Sequence, residues 1–444
     1  MERNSAPPAA VDIEADVMGR LAAGTLRPTL DSPSWIGRGL RSFLFLQGVC
    51  SPFFPRLAQA LGQEGHSVRS VKFTVGDMLY GASGSLSYRG RHDGLVDFYS
   101  STFRQHGITD VVLFGDCRPV HRPAIEQARR RGIRVHVFEE GYFRPYWITL
   151  ERDGVNSLSR LPRDPDWYRQ MGQQVPHYGN GEPFRQSFAS RAWHDVVYHV
   201  GGALNPLLFP RYQTHSICSA PVEYLGYIRR GLRLRQAEAK AVACIEALVA
   251  SKSPFFLLPL QLDGDAQIRE HSRFDSMRDV LNLVLSSFAR RAPGNTRLVV
   301  KNHPLSPGLV DYGRVTQQLA QQYGIAERVD YLESGHLPTL LDHASGTVTV
   351  NSTTGTSALI HRCPTLALGD PIYAMPGLTF QGSLDDFWQN PEAPDMELFR
   401  SFRNTVIHTT QVNGGFYTND GIAMGVRNAV QVLLAPQTVL EQFL

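Results

Sequence analysis

Five polar clusters in this chain have the residue types and spacing to do chemistry on a phosphate-bearing ligand. Glu139-Glu140-Gly141 places two adjacent carboxylates before a glycine, with Arg144 close behind. Such a carboxylate can act as nucleophile or general base, and Gly141 lets the backbone approach a ligand closely. Lys301-Asn302-His303-Pro304 joins an ammonium, an amide and an imidazole, with Pro304 fixing the backbone after the ring. An imidazole there can protonate a leaving phosphate near neutral pH or hold it by a hydrogen bond. Asn351-Ser352-Thr353-Thr354 sets amide and hydroxyl groups ahead of an expected helix, a favourable place for an anion. Asp116 and Arg118 follow the apolar run 110–114, and Gln261, Asp265, Gln267 and Arg269 follow the run 255–260. Each cluster also has an ordinary use. Asp116, Ser352 and Thr353 can cap helices, the acidic pair can be a solvated turn, and 261–269 can be a surface loop.

The elements that must position these groups are short apolar runs alternating with helical periodicity. Strands are expected at 42–46, 67–71, 110–114, 133–138, 255–260, 296–301, 329–332, 347–350 and 365–368. Helices are expected at 52–61, 123–131, 188–208, 224–250, 275–290, 337–343 and 357–362, with 426–434 the clearest element of a helical tail. Two βα blocks of this kind predict an α/β fold of two facing Rossmann-like domains, as in GT-B-like glycosyltransferases, with a helical C-terminal tail. Ligands in such folds bind at the C-terminal ends of the strands, which is where all five clusters fall. The expected division is a leader over 1–40, a first domain over 41–215, a second over 216–385, and a tail over 386–444 packing back on the first. No GxGxxG, Walker A or GxSxG motif stands in a strand–turn–helix context.

Composition narrows the class. The 444 residues carry a net charge of +3, from 44 basic and 41 acidic groups, too balanced for a nucleic-acid coat. All but four of the basic residues are arginine, a supply of fork-shaped donors for phosphate and carboxylate. The five cysteines are scattered and form no C-x-x-C pair, which fits a reducing compartment and argues against disulfides or zinc. No secretory signal and no membrane-spanning apolar window are visible, so a soluble or peripheral protein is expected.

Longer stretches carry a resemblance. They are LFLQGVCSPFFPRLAQALGQEGHSV from Leu44, GD from Gly76, FGDCRPVHRPA from Phe114 and FEEGYFRPYWITLERDGVN from Phe138. PLQLDGDAQIREHS from Pro259, KNHPLSPG from Lys301, VNSTTGTSAL from Val350 and GLTFQG from Gly377 continue the series. In this order the chain resembles the capsule polysaccharide biosynthesis and export protein family of Gram-negative bacteria. The resemblance implies a retaining β-Kdo transferase, moving 3-deoxy-D-manno-octulosonic acid from CMP-β-Kdo to a (lyso)phosphatidylglycerol acceptor to prime the capsule glycolipid. It assigns catalysis to Glu140 as nucleophile, with Glu139 and Asp116 as further catalytic candidates. Lys301, His303, Pro304, Asn351, Ser352, Thr353 and Thr354 would bind the nucleotide phosphate. Gln47, Arg118, Arg144, Gln261, Asp265, Gln267 and Arg269 would bind sugar or acceptor. A single donor phosphate calls for no metal, and no other cofactor is implied. The implied setting is the inner leaflet of the inner membrane, with other capsule assembly proteins as partners and no nucleic acid. Arg129, Arg130, Arg131 and Arg134 are the expected contacts to anionic headgroups. A transferase for another CMP-ulosonate, sialyl-like, and a non-catalytic assembly or export factor stay open as alternatives.

Overall fold

Continuous apolar runs in this chain become parallel strands buried on both faces. Leu298, Val299 and Val300, for example, are all fully buried in a strand bounded by Arg297 and Lys301. The computed structural model describes residues 39–81, 84–213, 220–262, 268 and 272–444. All but the last two residues of the expected leader lie outside that set, as do Asp265, Gln267 and Arg269.

Twelve strands are described: β1 Ser42–Phe45, β2 Ser67–Lys72, β3 Ser85–Ser87, β4 Asp110–Phe114, β5 Arg134–Glu140, β6 Trp147–Arg152, β7 Phe255–Pro259, β8 Arg297–Lys301, β9 Val329–Leu332, β10 Gly346–Thr349, β11 Thr365–Ala367 and β12 Gln411–Asn413. They form a seven-stranded sheet, β12-β6-β5-β4-β1-β2-β3, and a five-stranded sheet, β11-β10-β7-β8-β9. Read from the other end, β3-β2-β1-β4-β5 and β9-β8-β7-β10-β11 follow one Rossmann order, and every pairing within these two sets is parallel. The fold is therefore mixed α/β with two Rossmann-like units and a largely helical C-terminal segment. The order reverses between β1 and β4 in one sheet and between β7 and β10 in the other, and such reversals open crevices for ligands.

Helices cover both faces of each sheet. Phe53–Gln63 buries Phe53, Phe54, Leu57, Ala58 and Leu61, an apolar stripe at helical spacing. It packs with the helix Asn419–Leu434, whose Ile422, Val426, Ala429 and Leu433 enter the same core. On the second sheet, Met277–Arg291 starts where the Ser276 side chain accepts from the Asp279 N–H, and it buries Val280, Leu281, Val284, Leu285 and Phe288. A further core joins the units: Tyr142, Phe143 and Tyr168 pack with Leu359, Tyr373, Phe399 and Phe402.

Several elements differ from the sequence expectation. Strand β5 runs on through Glu139 and Glu140, so the acidic pair ends the strand instead of following it. Strands β6 and β12 pair antiparallel beyond β5, so the tail contributes an edge strand as well as helices. The helix expected at 357–362 is observed as Thr354–Ile360, placing Thr354 inside its first turn. The helix expected over 188–208 is two, Phe188–Gly202 and Asn205–Leu208, with Pro206 inside the short second piece.

Candidate active site between the two units

The site begins with backbone that leaves no room for side chains. A Cβ on Gly141 would lie 2.0 Å from the Trp147 carbonyl oxygen, so this glycine allows β6 to fold back against β5. The close approach expected here is thus made by the chain's own backbone. The turn is tied down further. The Tyr142 N–H donates to Gln411 Oε1 at 2.9 Å, and the Tyr142 hydroxyl donates to buried Glu151 at 2.6 Å. On the other unit, a Cβ on Gly355 would meet the Tyr373 hydroxyl at 2.0 Å, and that hydroxyl donates to the Ser352 carbonyl at 2.6 Å. Thr356 Oγ1 lies 2.6 Å from the Thr353 carbonyl and 3.2 Å from the Tyr142 carbonyl. The acidic turn and the hydroxyl-rich turn are therefore in contact.

Adjacent residues on a strand point to opposite faces, and the two glutamates do so here. Glu139 accepts from the Glu140 N–H at 2.9 Å and lies on the Gly115 side, where a Gly115 Cβ would be 3.6 Å from its Oε2. Glu140 turns the other way. The Tyr417 hydroxyl donates to it at 3.3 Å, and Arg191 pairs with it at 3.5 Å. The Arg191 guanidinium also stands over the Tyr417 ring, 4.8 Å from its centroid. Burial opposes the Arg191 charge, but Tyr417 and Glu140 hold it above the ordinary arginine value.

His303 is fixed by a network behind it. Its N–H donates to Asn302 Oδ1 at 2.8 Å, and the Asn302 amide donates to Glu333 Oε2 at 2.9 Å. Arg230 pairs with Glu333 and donates to the carbonyls of Pro304 at 2.6 Å and Ser306 at 2.9 Å. The ring's Nδ1 accepts from the Leu305 N–H at 3.1 Å, so the neutral ring carries its proton on Nε2. Burial first, then Lys301, Arg144, Arg230 and Arg191, push the imidazole down to about 4. Lys301 is itself buried, and burial, then Arg230, lower its ammonium. Arg144 stands exposed at the mouth.

The other expected residues are held within the protein. Asp116 is buried, accepts from the Val155 N–H at 2.9 Å and receives the Cys117 thiol at 3.2 Å. Gln47 donates to Asp77 at 3.2 Å and to Tyr198 at 3.1 Å, at the end of β1. Gln261 donates to Asn351 Oδ1 at 3.2 Å and accepts from the Asn351 N–H at 3.3 Å, clamping the reversal between β7 and β10. Arg118 donates to the Gly48 carbonyl at 3.1 Å and covers the Phe114 ring. The Ser352 hydroxyl accepts from the Thr354 N–H at 3.0 Å and donates to Thr354 Oγ1 at 3.1 Å, an internal turn.

A family model for capsule polysaccharide biosynthesis proteins matches residues 109–417. The chain belongs to that family. Among curated relatives of this family member, the capsule polysaccharide export protein KpsS of Escherichia coli is 38% identical over 380 residues, 85% of this chain and 97% of the relative. The capsule polysaccharide modification protein LipB of Neisseria meningitidis serogroup B is 36% identical over 384 residues, 85% of this chain and 92% of the relative. A looser three-dimensional likeness extends to the KpsC beta Kdo 2,7 transferase of Thermosulfurimonas dismutans. It has 14% identity and a TM-score of 0.42, over 88% of this chain and 100% of that one. Another is the UDP-GlcNAc 2-epimerase of Methanocaldococcus jannaschii, with 11% identity and a TM-score of 0.29, over 88% and 99%.

The family match runs from β4 to Tyr417 and so spans both carboxylates and the residue that holds Glu140. Arg191, Tyr417, Arg230 and Glu333 were not expected from sequence. None stands in a motif, and nothing local ties position 140 to 191 and 417. Arg191 comes from the helix Phe188–Gly202, Tyr417 from the tail, Arg230 from the helix Ala220–Ser251, and Glu333 from just past β9.

Proposed function

We propose that this member of the capsule family is a retaining glycosyltransferase that moves Kdo from CMP-β-Kdo to a (lyso)phosphatidylglycerol acceptor. One observation carries the donor reading. The hydroxyl-rich turn of one unit touches the acidic turn of the other, Thr356 Oγ1 lying 3.2 Å from the Tyr142 carbonyl, and Arg191 pairs with Glu140 at 3.5 Å. Hydroxyl groups and a guanidinium beside a carboxylate support transfer from a sugar phosphate. The acceptor and the sugar rest on the family resemblance.

In this reading His303 holds the donor phosphate through Nε2–H, as a neutral donor, while Lys301, Arg144 and Arg191 supply the charge. Glu140 attacks the anomeric carbon, the bond from that carbon to the phosphate oxygen breaks, and CMP leaves with the electron pair. The acceptor hydroxyl then attacks the same carbon from the opposite side, the Glu140 ester opens, and the hydroxyl proton passes to the phosphate of the departing CMP, which lies on that side. Two displacements retain configuration. A single donor phosphate carries less charge than a diphosphate, so transfer is expected to survive EDTA. The protein would work at the inner leaflet. Among the described residues no helix is long and apolar enough to cross a membrane.

The test is mass spectrometry of a phosphatidylglycerol acceptor incubated with protein and CMP-Kdo, with CMP-sialic acid in a parallel reaction. One added Kdo is expected. A product only with CMP-sialic acid would replace the sugar assignment, and none with either donor would end the transferase reading.

A further inference from the structure

The helix Phe188–Gly202 has two faces with different work. One carries Arg191 to Glu140, His194 to Tyr80 at 2.8 Å, and Tyr198 to Asp77 at 2.9 Å, so it roofs the ends of β1, β2 and β5. The opposite face is apolar and uncovered. Trp193, Val196 and Val200 follow one another at helical spacing, and Leu204 and Leu207 extend the stripe. Trp193 and Val200 are each 65% exposed and Leu207 is 79% exposed. The helix Ala220–Ser251 meets it at Tyr224, whose hydroxyl donates to Asp195 at 3.0 Å and whose ring lies edge-on to His199. Its first turns repeat the pattern with Val222, Leu225, Ile228 and Leu232, the last of them 83% exposed.

Single exposed apolar residues are ordinary, but two exposed stripes on helices that meet at Tyr224 are not. The surrounding charge says what covers them. Arg229, Arg233 and Arg235 alternate with the second stripe along its helix, and Arg185 and Arg211 stand before and after the first pair of helices; all five are exposed, against exposed Glu182 and Glu238 and half-buried Glu223, and Arg229 and Arg233 also line the groove toward Asp311 and Glu333. An apolar centre with a basic margin complements a bilayer surface of anionic headgroups over acyl chains. It suits a protein–protein contact less well, since five arginines at the edge would need a strongly acidic partner.

We infer that these two helices form the membrane-docking face, with Trp193, Val196, Val200, Leu204, Leu225 and Leu232 entering the headgroup–acyl boundary. The choice of a bilayer as occupant rests on the lipid-acceptor reading above. The width of the helix, about 10–12 Å, and the 3.5 Å Arg191–Glu140 pair separate this face from the carboxylate. The arginines expected from sequence are elsewhere: Arg129, Arg130, Arg131 and Arg134 lie at the N-terminal end of β5, where helix Arg122–Arg129 returns to the sheet. There Arg129 donates to the Asp153 carbonyl, Arg130 pairs with Glu126, Arg131 bonds Gln127 and Arg134 lies 3.8 Å from Asp110.

The experiment compares wild type, Trp193→Glu/Val200→Glu and Arg129→Glu/Arg130→Glu by flotation with two kinds of vesicle. One is phosphatidylglycerol mixed with phosphatidylcholine, the other phosphatidylcholine alone. Wild type should float with the anionic vesicles. The Trp193/Val200 variant should bind them roughly tenfold or more weakly. The Arg129/Arg130 variant should bind as wild type. CMP affinity, measured on the same samples, should be unchanged in the Trp193/Val200 variant, showing that the helix still folds over the site. Undiminished flotation of that variant would overturn the inference. So would a wild type that ignores vesicles but self-associates in ultracentrifugation through the same residues. Flotation as expected without Kdo transfer would remove the transferase reading and leave the surface. Transfer to a detergent-dispersed acceptor without flotation would do the reverse.

Discussion

His303→Ala gives the sharpest test of how the donor is held. The ring's Nδ1 is occupied by the Leu305 N–H, so only Nε2–H is left to face a phosphate. With its pKa pushed down to about 4 by burial and four cations, the imidazole is neutral at pH 7 before ligand binds. It therefore contributes one hydrogen bond to a charged acceptor and no full charge. Such a bond is worth about 1.5–3 kcal/mol, so CMP should bind roughly 10- to 150-fold more weakly to His303→Ala. The pH dependence separates this from an imidazolium clamp. A bound phosphate raises the folded pKa of His303, so wild type takes up a proton on binding only as the pH falls towards that pKa. The ratio of wild-type to variant affinity should be flat above about pH 6.5 and should widen at lower pH. Taking the ratio cancels the titration of CMP itself. Calorimetry at several pH values reads it directly. A ratio near one at every pH would remove His303 from the phosphate site. A ratio that collapses between about pH 6 and 8 would show that the charged ring, not the neutral one, holds the ligand.

Further outcomes are open to direct measurement. Glu140→Gln should bind CMP-Kdo without turning it over, and wild type without acceptor should accumulate one Kdo on the peptide 138–144 in intact-protein mass spectrometry. An adduct on Asp116 would move the nucleophile there, and a fully active Glu140→Gln would abolish the mechanism. Arg191→Met keeps the stem over Tyr417 but loses the charge shared between Glu140 and the phosphate, so kcat/KM should fall about 10- to 100-fold, with part recovered in Arg191→Lys. Glu151 is buried, and burial raises its carboxyl to about 7 from an ordinary 4.5. Its stabilising contribution is therefore complete below about pH 4.5 and is lost as the pH rises through about 7. Compared with Glu151→Gln, wild type should lose up to about 3 kcal/mol across that window, read from denaturant midpoints at pH 5 and pH 8. A difference that does not change with pH would refute the buried-acid reading.

The strands that carry the clusters were legible because they are uninterrupted apolar runs with a turn at each end. β4, β7 and β8 are of this kind, and their order along the chain was enough to indicate two parallel sheets. β12 was not legible, since Gln411-Val412-Asn413 is a strand only because β6 offers it an edge. β6 was hidden because it ends in Glu151 and Arg152, charges that read as surface and are in fact buried. At the site, residue type indicated position but not partner. Asp116, Gln47 and Gln261 do stand at strand ends, yet each is engaged with the protein's own groups at the sheet reversals. No pattern in the sequence separates a carboxylate that faces a cleft from one that holds a loop. That difference is set by which backbone N–H lies within 3 Å, a property of the assembled chain.

The C-terminal segment has a consequence for how the protein is made. The helix Phe53–Gln63 has five apolar side chains on one face, and the helix that covers them, Asn419–Leu434, is made more than 350 residues later. At about 5–20 residues per second that face waits roughly twenty to seventy seconds for its cover, and Glu140 waits almost as long for Tyr417. The nascent first unit is thus sticky and chemically incomplete for most of its synthesis. A chain ended before Asn419 is expected to be insoluble polypeptide, not a soluble protein lacking activity.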